Sequence, residues 1–313
     1  CHGIPFPQVS CLVGSLPRPS VMVRVRSATR EGIGAAMSRR APALSASRAK
    51  DFKQCPLKFR YAVVDRIPQP PTVATIKGTL VHAVLEHLFE LPQPERTMTA
   101  AFGLITPTWE SLAQKHNDYL QVVEDDSSVR QLNADAQALL QSYFSLEQPQ
   151  NLRPTACESF VEAQLDSGLR LRGIIDRIEH SPAGKIRVID YKTGKAPSSR
   201  FVDEALFQMR FYALMLQAEE RLPDRMQLLY LKSGQVLTLD PQPEDIERFQ
   251  IELMELWGQI SDAATSGDFA PQQGPLCNWC AFQSQCPLFG GTVAPPAEAD
   301  LQRILAMRAE PRS

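Results

Sequence analysis

The stretch that decides the fold is Arg170–Lys195, with the sequence RLRGIIDRIEHSPAGKIRVIDYKTGK. Its two arms alternate apolar and polar residues and are rich in Ile and Val, while Pro182 and Gly184 lie between them. Alternation with a period of two, interrupted by turn residues, predicts a β-hairpin. We therefore expect two neighbouring strands in the middle of the chain.

Three charged side chains of this hairpin are predicted to share one face. Asp190 and Lys192 are two residues apart on one strand, so they point to the same side of the sheet. Asp176 lies on the partner arm and can reach that side. Two carboxylates beside a lysine on a half-buried sheet are costly unless they hold a cation. The pattern predicts a divalent-metal site, with the lysine left to hold a phosphate or a water. An exposed hairpin with ordinary surface charges is the alternative.

The hairpin resembles the core of the PD-(D/E)xK nucleases, in the branch typified by the nuclease domains of RecB and AddB. That branch carries G-x-x-D-R followed by D-Y-K-T-G, and this sequence has both motifs in order, at Gly173–Arg177 and Asp190–Gly194. The resemblance implies an α/β restriction-endonuclease-like core with a mixed central sheet flanked by helices. It also implies hydrolysis of phosphodiester bonds in DNA.

Other motifs of the same branch occur in its order along the chain. The opening L-S-x-S…C-P…F-R-Y lies at Leu44–Tyr61, and G-T-x-x-H-x-x-L-E lies at Gly78–Glu86. Q-x-x-x-Y, at Gln208 and Tyr212, follows the hairpin. Taken alone, the histidine of the second motif, His82, could be structural, and the third could belong to a plain amphipathic helix.

The resemblance implies a role for each site residue. One or two Mg²⁺ or Mn²⁺ ions are bound by four residues, the last through its carbonyl: His82, Asp176, Asp190 and Tyr191. Lys192 orients the attacking water or a phosphate oxygen. Gln208 and Tyr212 hold the DNA or order Lys192. Glu86, one helical turn after His82, is a candidate outer ligand.

Seven cysteines are present, and three of them form C-x2-C-x5-C at Cys277, Cys280 and Cys286. An odd number without secretion signals does not fit a disulfide framework. Three clustered thiolates need a fourth ligand for a tetrahedral site or a cubane cluster, and Cys55 is the candidate. Cys55 also lies where RecB-like nucleases with an iron–sulfur staple place their first cysteine. The resemblance favours a [4Fe–4S] cluster, with zinc as the alternative. Cys157 is expected to be a buried apolar residue.

The domain organisation follows from these motifs. The nuclease domain is expected at 43–290, with a helical insertion at 95–150 that forms one wall of the cleft and a cysteine cluster at 277–286. Residues 1–42 are predicted to be a disordered extension and 291–313 a C-terminal tail. Met37 has the context of a natural start, so residues 1–36 are interpreted as upstream translated sequence, with an organelle transit peptide as the alternative. Further elements are predicted as helices at 78–89, 203–220 and 241–265 and strands at 159–165, 226–231 and 235–239.

Composition limits the class of protein. The 313 residues are 43% hydrophobic and 22% charged, with a net charge of −2, so global charge does not indicate nucleic acid. Residues 43–66 nevertheless hold six basic and two acidic side chains, whereas 219–262 hold four basic and ten acidic. A basic face near the hairpin would suit a polyanion, although scattered solvated charges are the alternative. No apolar run reaches transmembrane length, and we expect a cytoplasmic location.

The sequence contains no G-x-x-x-x-G-K-[ST] motif, so it lacks a Walker-type ATPase site of its own. We therefore predict a stand-alone exonuclease of DNA repair or recombination that acts on single-stranded or free DNA ends, with a helicase supplied in trans. A CRISPR-associated nuclease of the same superfamily is one alternative. A catalytically silent subunit that binds DNA ends is another, although the intact D…D-x-K set argues against it.

Overall fold

The computed structural model describes residues 41–219 and 221–309. The expectations for residues 1–40, including the natural start at Met37, lie outside the described residues. None of the described helices combines the length and apolarity needed to cross a membrane.

The centre of the domain is a five-stranded mixed sheet. Its strands follow chain order across the sheet: β1 (Pro154–Gln164), β2 (Arg170–His180), β3 (Ile186–Lys192), β4 (Arg225–Tyr230) and β5 (Gln235–Leu239). The β1–β2, β2–β3 and β4–β5 pairs are antiparallel, and β3–β4 is parallel. The predicted α/β fold with a mixed central sheet is confirmed.

Eight helices occur in the described part of the chain, and most of them cover the two faces of this sheet. They are α1 (Ala46–Gln54), α2 (Pro56–Phe59), α3 (Val73–Glu90), α4 (Met98–Lys115), α5 (Asp126–Leu146), α6 (Val202–Glu219), α7 (Pro243–Ser266) and α8 (Glu298–Leu305). A π-helical turn at Arg60–Val64 follows α2.

Apolar side chains divide between two cores, one on each face of the sheet. On one face α1, α6, α7 and α8 pack on strand residues such as Val188 and Leu228. On the other face α3, α4 and α5 pack on Ile189 and Leu229. The alternation of neighbouring strand residues between two cores explains why β3 and β4 are apolar almost throughout, as expected of a sheet covered on both sides.

The segment 95–150, predicted as a helical insertion, contains α4 and α5. Together with α3 these helices form the second core, around residues such as Trp109 and Tyr143. Proline occurs inside α4 at Pro107 without ending the helix. The segment therefore covers one face of the sheet.

Two elements begin five residues earlier than the sequence predicts. The first strand begins at Pro154 instead of Ser159, because its first half carries polar residues and lacks the apolar alternation on which the prediction relied. Helix α3 begins at Val73, where Thr72 and Thr75 form a reciprocal capping box, so Gly78 lies inside the helix and not at its start.

The segment 291–313, interpreted as a tail, contains α8. Leu301, Ile304 and Met307 are buried in the main core, and the Arg170 N–H donates to the Met307 carbonyl at 2.9 Å. An eight-residue helix offers only two or three periodic apolar positions, too few to stand out in the sequence.

Candidate active site

Three acidic residues form one row across neighbouring strands. The β1–β2 register sets Cys157 opposite Arg177 and Ser159 opposite Ile175, so Glu158 stands opposite Asp176. The β2–β3 pairing ends at Arg177–Ile189, one step before Asp176 and Asp190. Because directly opposed residues point to the same face, the row collects its carboxylates on one side of the sheet.

The hydrogen-bond ladder between β2 and β3 ends at this row. Beyond that point, side chains form the hydrogen bonds to the backbone groups of β3. The Tyr191 N–H donates to Asp176 Oδ2 at 2.6 Å. The Tyr191 carbonyl lies 3.0 Å from His82 Nε2. A hydrogen-bonded backbone at the point where two strands part thus fixes the positions of Asp176 and His82.

His82 reaches this row from α3. Its Nδ1 lies 3.4 Å from Asp176 Oδ2 and 3.5 Å from Glu158 Oε1. Within the described residues, only these three side chains bring three potential metal-ligating atoms within 4.8 Å of one another. Imidazole nitrogen and carboxylate oxygen suit Mn²⁺, and carboxylates suit Mg²⁺.

The charge balance of this group is that of a site built for a cation. Burial lowers the pKa of His82, but the Asp176 and Glu158 carboxylates oppose this strongly, and the net effect raises it to about 10. An imidazolium therefore balances the two buried carboxylates when no metal does. A divalent ion between the same atoms would replace that proton.

Glu158 is the residue that sequence reasoning missed. Its side chain is buried, with 2% of the residue exposed, and its backbone has φ +43°. A left-handed backbone at a non-glycine residue is uncommon and marks a constrained position. The available signal was a glutamate inside a strand, but the strand was predicted to begin one residue later, at Ser159.

A second network joins the hairpin to α6. Lys192 Nζ lies 2.5 Å from Asp190 Oδ2 and donates to Gln208 Oε1 at 2.8 Å. Gln208 Nε2 donates to Asp190 Oδ1 at 2.8 Å and to the Tyr212 hydroxyl at 3.0 Å. The Tyr212 hydroxyl in turn donates to the Ile174 carbonyl at 2.7 Å. The structure thus brings Asp190, Lys192, Gln208 and Tyr212 into one hydrogen-bonded chain.

Burial raises the pKa of both hairpin carboxylates, but the net shifts of the two groups have opposite directions. Burial and the nearby Asp176 charge raise the pKa of Asp190 to about 6, although Lys192 opposes the shift. Burial also disfavours ionised Asp176, but His82 and the Tyr191 N–H lower its pKa overall. Burial lowers the pKa of Lys192, and the Asp190 carboxylate more than offsets this, so that the net shift is upward. Lys192 therefore remains an ammonium group beside the row.

Two residues of the G-x-x-D-R motif have structural positions. A Cβ at Gly173 would lie 2.6 Å from Tyr212 Cε1, so glycine allows the tyrosine ring to lie against β2. Arg177 is fully buried and donates to both Glu147 carboxylate oxygens at 2.7 Å and to the Tyr191 hydroxyl at 2.6 Å. Both residues support the site without belonging to the row.

The role of Glu86 as an outer ligand stays a prediction. Glu86 lines a separate cavity of about 570 Å³ together with Arg96 and Cys157. Cys157 is half-buried against the core formed by α3, α4 and α5.

The four cysteines predicted to share a cluster line one groove of about 840 Å³. The Gln272 N–H donates to Cys55 Sγ at 3.4 Å, and the Gly274 N–H donates to Cys277 Sγ at 3.3 Å. In the described chain no three of these sulfurs lie within 4.8 Å of one another. The shared cluster therefore stays a prediction.

Comparisons with known proteins find similar chains among phage proteins and solved structures. The chain is 24% identical to the Gene 69 protein of Mycobacterium phage D29 over 79% of this chain and 97% of the phage protein. It is 29% identical to the Gene 69 protein of Mycobacterium phage L5 over 39% of this chain and 41% of that protein. A solved structure described as the crystal structure of SSO0001 matches with a TM-score of 0.37 and 14% identity, over 83% of this chain and 93% of that one.

The family model of the PD-(D/E)XK nuclease superfamily matches residues 43–287, which include the acidic row, Lys192 and all four cysteines of the groove. The chain belongs to the PD-(D/E)XK nuclease superfamily.

Proposed function

We propose that this protein is a metal-dependent exonuclease that hydrolyses phosphodiester bonds at DNA ends in repair or recombination. The observation that carries the proposal is the row Glu158, Asp176 and Asp190, flanked by His82 on one side and Lys192 on the other. Membership of the superfamily supports the nuclease chemistry. The exonuclease mode, the repair role and a helicase acting in trans are the finer parts of the proposal.

The residues that would hold Mg²⁺ or Mn²⁺ are His82, Glu158, Asp176, Asp190 and the carbonyl of Tyr191. They fit the ion because all offer hard or borderline donors, and because the three atoms of His82, Glu158 and Asp176 already converge within 4.8 Å. When bound, the ion lowers the pKa of a coordinated water and neutralises charge that grows on the scissile phosphate.

Lys192 is proposed to orient the attacking water or a phosphate oxygen. Its ammonium group is held between Asp190 and Gln208 at 2.5 and 2.8 Å, and its side chain is 31% exposed. It can therefore reach a phosphate at the mouth of the site without leaving its partners. A preorganised cation at that point stabilises developing negative charge. Gln208 and Tyr212 act as positioning residues, because their hydrogen bonds hold the side chains of Lys192 and Asp190 in place.

The proposal is tested with end-labelled linear DNA, single-stranded and duplex, and with a circular single strand of the same sequence, each in Mn²⁺ or Mg²⁺. We expect shortening of the linear strand and survival of the circle, with no cleavage by Lys192→Ala. Equal cleavage of the circle would contradict the exonuclease mode. Stable binding to ends without cleavage in either metal would favour the silent end-binding subunit.

We also propose that Cys55, Cys277, Cys280 and Cys286 hold a [4Fe–4S] cluster, with Zn²⁺ as the alternative. Their position around one groove and the backbone N–H groups that donate to two of the sulfurs support a thiolate site. Thiolate ligands suit both iron–sulfur clusters and zinc.

Purification without oxygen tests the cluster. We expect a brown protein that absorbs broadly in the visible range and contains iron and acid-labile sulfide. A colourless protein with one equivalent of zinc would overturn the iron assignment and keep the thiolate site. Metal-free protein with full stability would overturn both.

A further inference from the structure

Lys50 lies between two cavities, one lined by the cysteines and one next to the candidate active site. Lys50 lines the groove of about 840 Å³ and also a smaller cavity of about 390 Å³. Gln208 and Tyr212 line that smaller cavity. The proximity of Lys50 to Lys192 is also seen in its charge state, since burial and the Lys192 ammonium lower the pKa of Lys50. The groove therefore shares Lys50 with a smaller cavity that reaches residues beside the acidic row.

Exposed aromatic side chains gather on this groove. Phe201 and Phe289 line it and are 53% and 44% exposed. Trp279, which is 78% exposed, lies in the short turn between Cys277 and Cys280, two residues that line the groove. These are the three most exposed Phe and Trp side chains in the described chain. Their burial would be favourable, and their concentration at one place indicates a ligand surface.

Lysines line one wall of the same groove. Lys50 and Lys53 are three residues apart on α1, so they share a helical face and repel each other. Their ammonium groups lie 6.0 and 4.9 Å from the Phe207 ring centre. Lys58 is already paired with Asp51 at 2.7 Å. The acids of the groove, among them Glu204 and Glu252, belong to α6 and α7, so the α1 wall is the positive one.

We propose that the part of this groove beside its cysteines binds the single-stranded part of the DNA substrate, with its phosphates along Lys50 and Lys53 and its bases stacked on Trp279, Phe201 and Phe289. This inference rests on the proposed nuclease function and adds the surface that would select a single strand. Aromatic side chains stack on bases of any sequence, but only where those bases are unpaired. A cationic wall beside aromatic rings therefore selects a single strand over a duplex, in which the bases stack on one another.

The test compares two oligonucleotides of 15 units without metal, so that no cleavage occurs: oligothymidylate and its abasic counterpart, which keeps the phosphates and lacks bases. Trp279→Ala should weaken binding of oligothymidylate about 5- to 150-fold, the range for one stacked base, and should leave abasic binding unchanged. Trp279→Phe should restore most of the loss. Phe201→Ala, away from the cysteine turns, should repeat the pattern if Trp279→Ala disturbs the fold.

Lys53→Ala should weaken binding of both oligonucleotides and reduce the salt dependence, with a slope smaller by about 0.7. Leu120→Ala is the matched control for the aromatic substitutions, because Leu120 is 51% exposed and lies between α4 and α5, away from the groove.

Single-strand binding and cleavage that are unchanged in Trp279→Ala and Phe201→Ala would overturn the groove assignment. Such a result would leave the nuclease function intact and favour a protein partner for this surface. Equal losses on the abasic strand would overturn stacking. A parent protein that neither binds nor cuts DNA would overturn the nuclease function and this inference together.

Discussion

The acidic row and the cysteine groove differ in what holds their residues in place. Residues of the row lie on β1, β2 and β3, and His82 beside it lies on α3, where backbone ladders and buried cores position them. Three cysteines of the groove lie in or next to short 3-10 turns at 277–279, 283–285 and 287–289: Cys277 begins the first turn, and Cys280 and Cys286 follow the first and the second. Such turns contain few internal hydrogen bonds, and they are too short to present an extended apolar face to a core.

This difference indicates where each region obtains its geometry. The sheet and its buried cores hold the side chains of the row in place whether or not a metal ion is bound. Around the cysteines, the Tyr61 hydroxyl donates to the Gln285 carbonyl at 2.9 Å, Arg60 contacts Ala294, and a small core forms around Phe282. These contacts join the two ends of the domain, but they are few. We expect the cysteine region to depend on the proposed cluster for its order, whereas the row keeps its geometry without a metal ion.

The largest expected effect is on the chemistry of the row. Lys192→Ala should lower the rate of DNA cleavage by about 10²–10³-fold, because it removes a preorganised cation from the developing charge. The melting temperature should stay close to that of the parent, since the side chain lies at the edge of the core. Lys195→Ala, which changes an exposed lysine three residues later, is the control. Cleavage rates that are equal in both variants would contradict the assignment of Lys192.

The second largest expected effect is on the stability of the protein, through the cysteine groove. Cys280→Ala should lower the melting temperature by roughly 10 °C, because loss of one ligand removes a cross-link that closes a long loop. DNA-end binding should fall with it, and cleavage as a consequence. Cys157→Ala lies outside the groove and should change little. If thermal unfolding shows Cys280→Ala to be as stable as the parent, the contacts of Tyr61 and Phe282 suffice and the comparison fails.

The third prediction, Glu158→Gln, tests whether the acidic row binds a metal ion without contributing to the stability of the fold. The fold should be retained, while affinity for Mn²⁺ should fall at least about 10-fold, because one anionic oxygen beside His82 and Asp176 is lost. Isothermal titration with Mn²⁺ measures this directly. Glu162→Gln changes an exposed glutamate on the same strand and serves as the control. Unchanged affinity in Glu158→Gln would remove Glu158 from the metal site.

The smallest expected effect concerns the support of the second network. Gly173→Ala places a methyl group against the Tyr212 ring, so it should cost about 1–3 kcal/mol of stability. Displacement of Tyr212 from Gln208 should also slow cleavage, by about 10-fold. A Cβ at Gly194 would meet nothing within 4 Å, so Gly194→Ala should change neither quantity. Chemical unfolding and cleavage rates, measured together, distinguish the two variants.

Much of the fold was predictable because its signals are local. The alternation of Arg170–Lys195 predicts β2 and β3, and the spacing of Asp190 and Lys192 places both on one face. The C-x2-C-x5-C spacing singles out three cysteines in the same way. Position within one element decides each of these features, so no knowledge of the rest of the chain is needed.

Other features depend on contacts between distant parts of the chain, and the tertiary structure alone decided them. Glu158 belongs to the site because the β1–β2 register sets it opposite Asp176. α8 belongs to the core because its few apolar residues meet the π-helical turn and α7. The glycine of G-x-x-D-R is needed because Tyr212 packs against it, 39 residues later in the chain. Register, close approach and burial are properties of pairs of elements, so a single stretch of sequence specifies the chemistry of a side chain but not the partners that it meets.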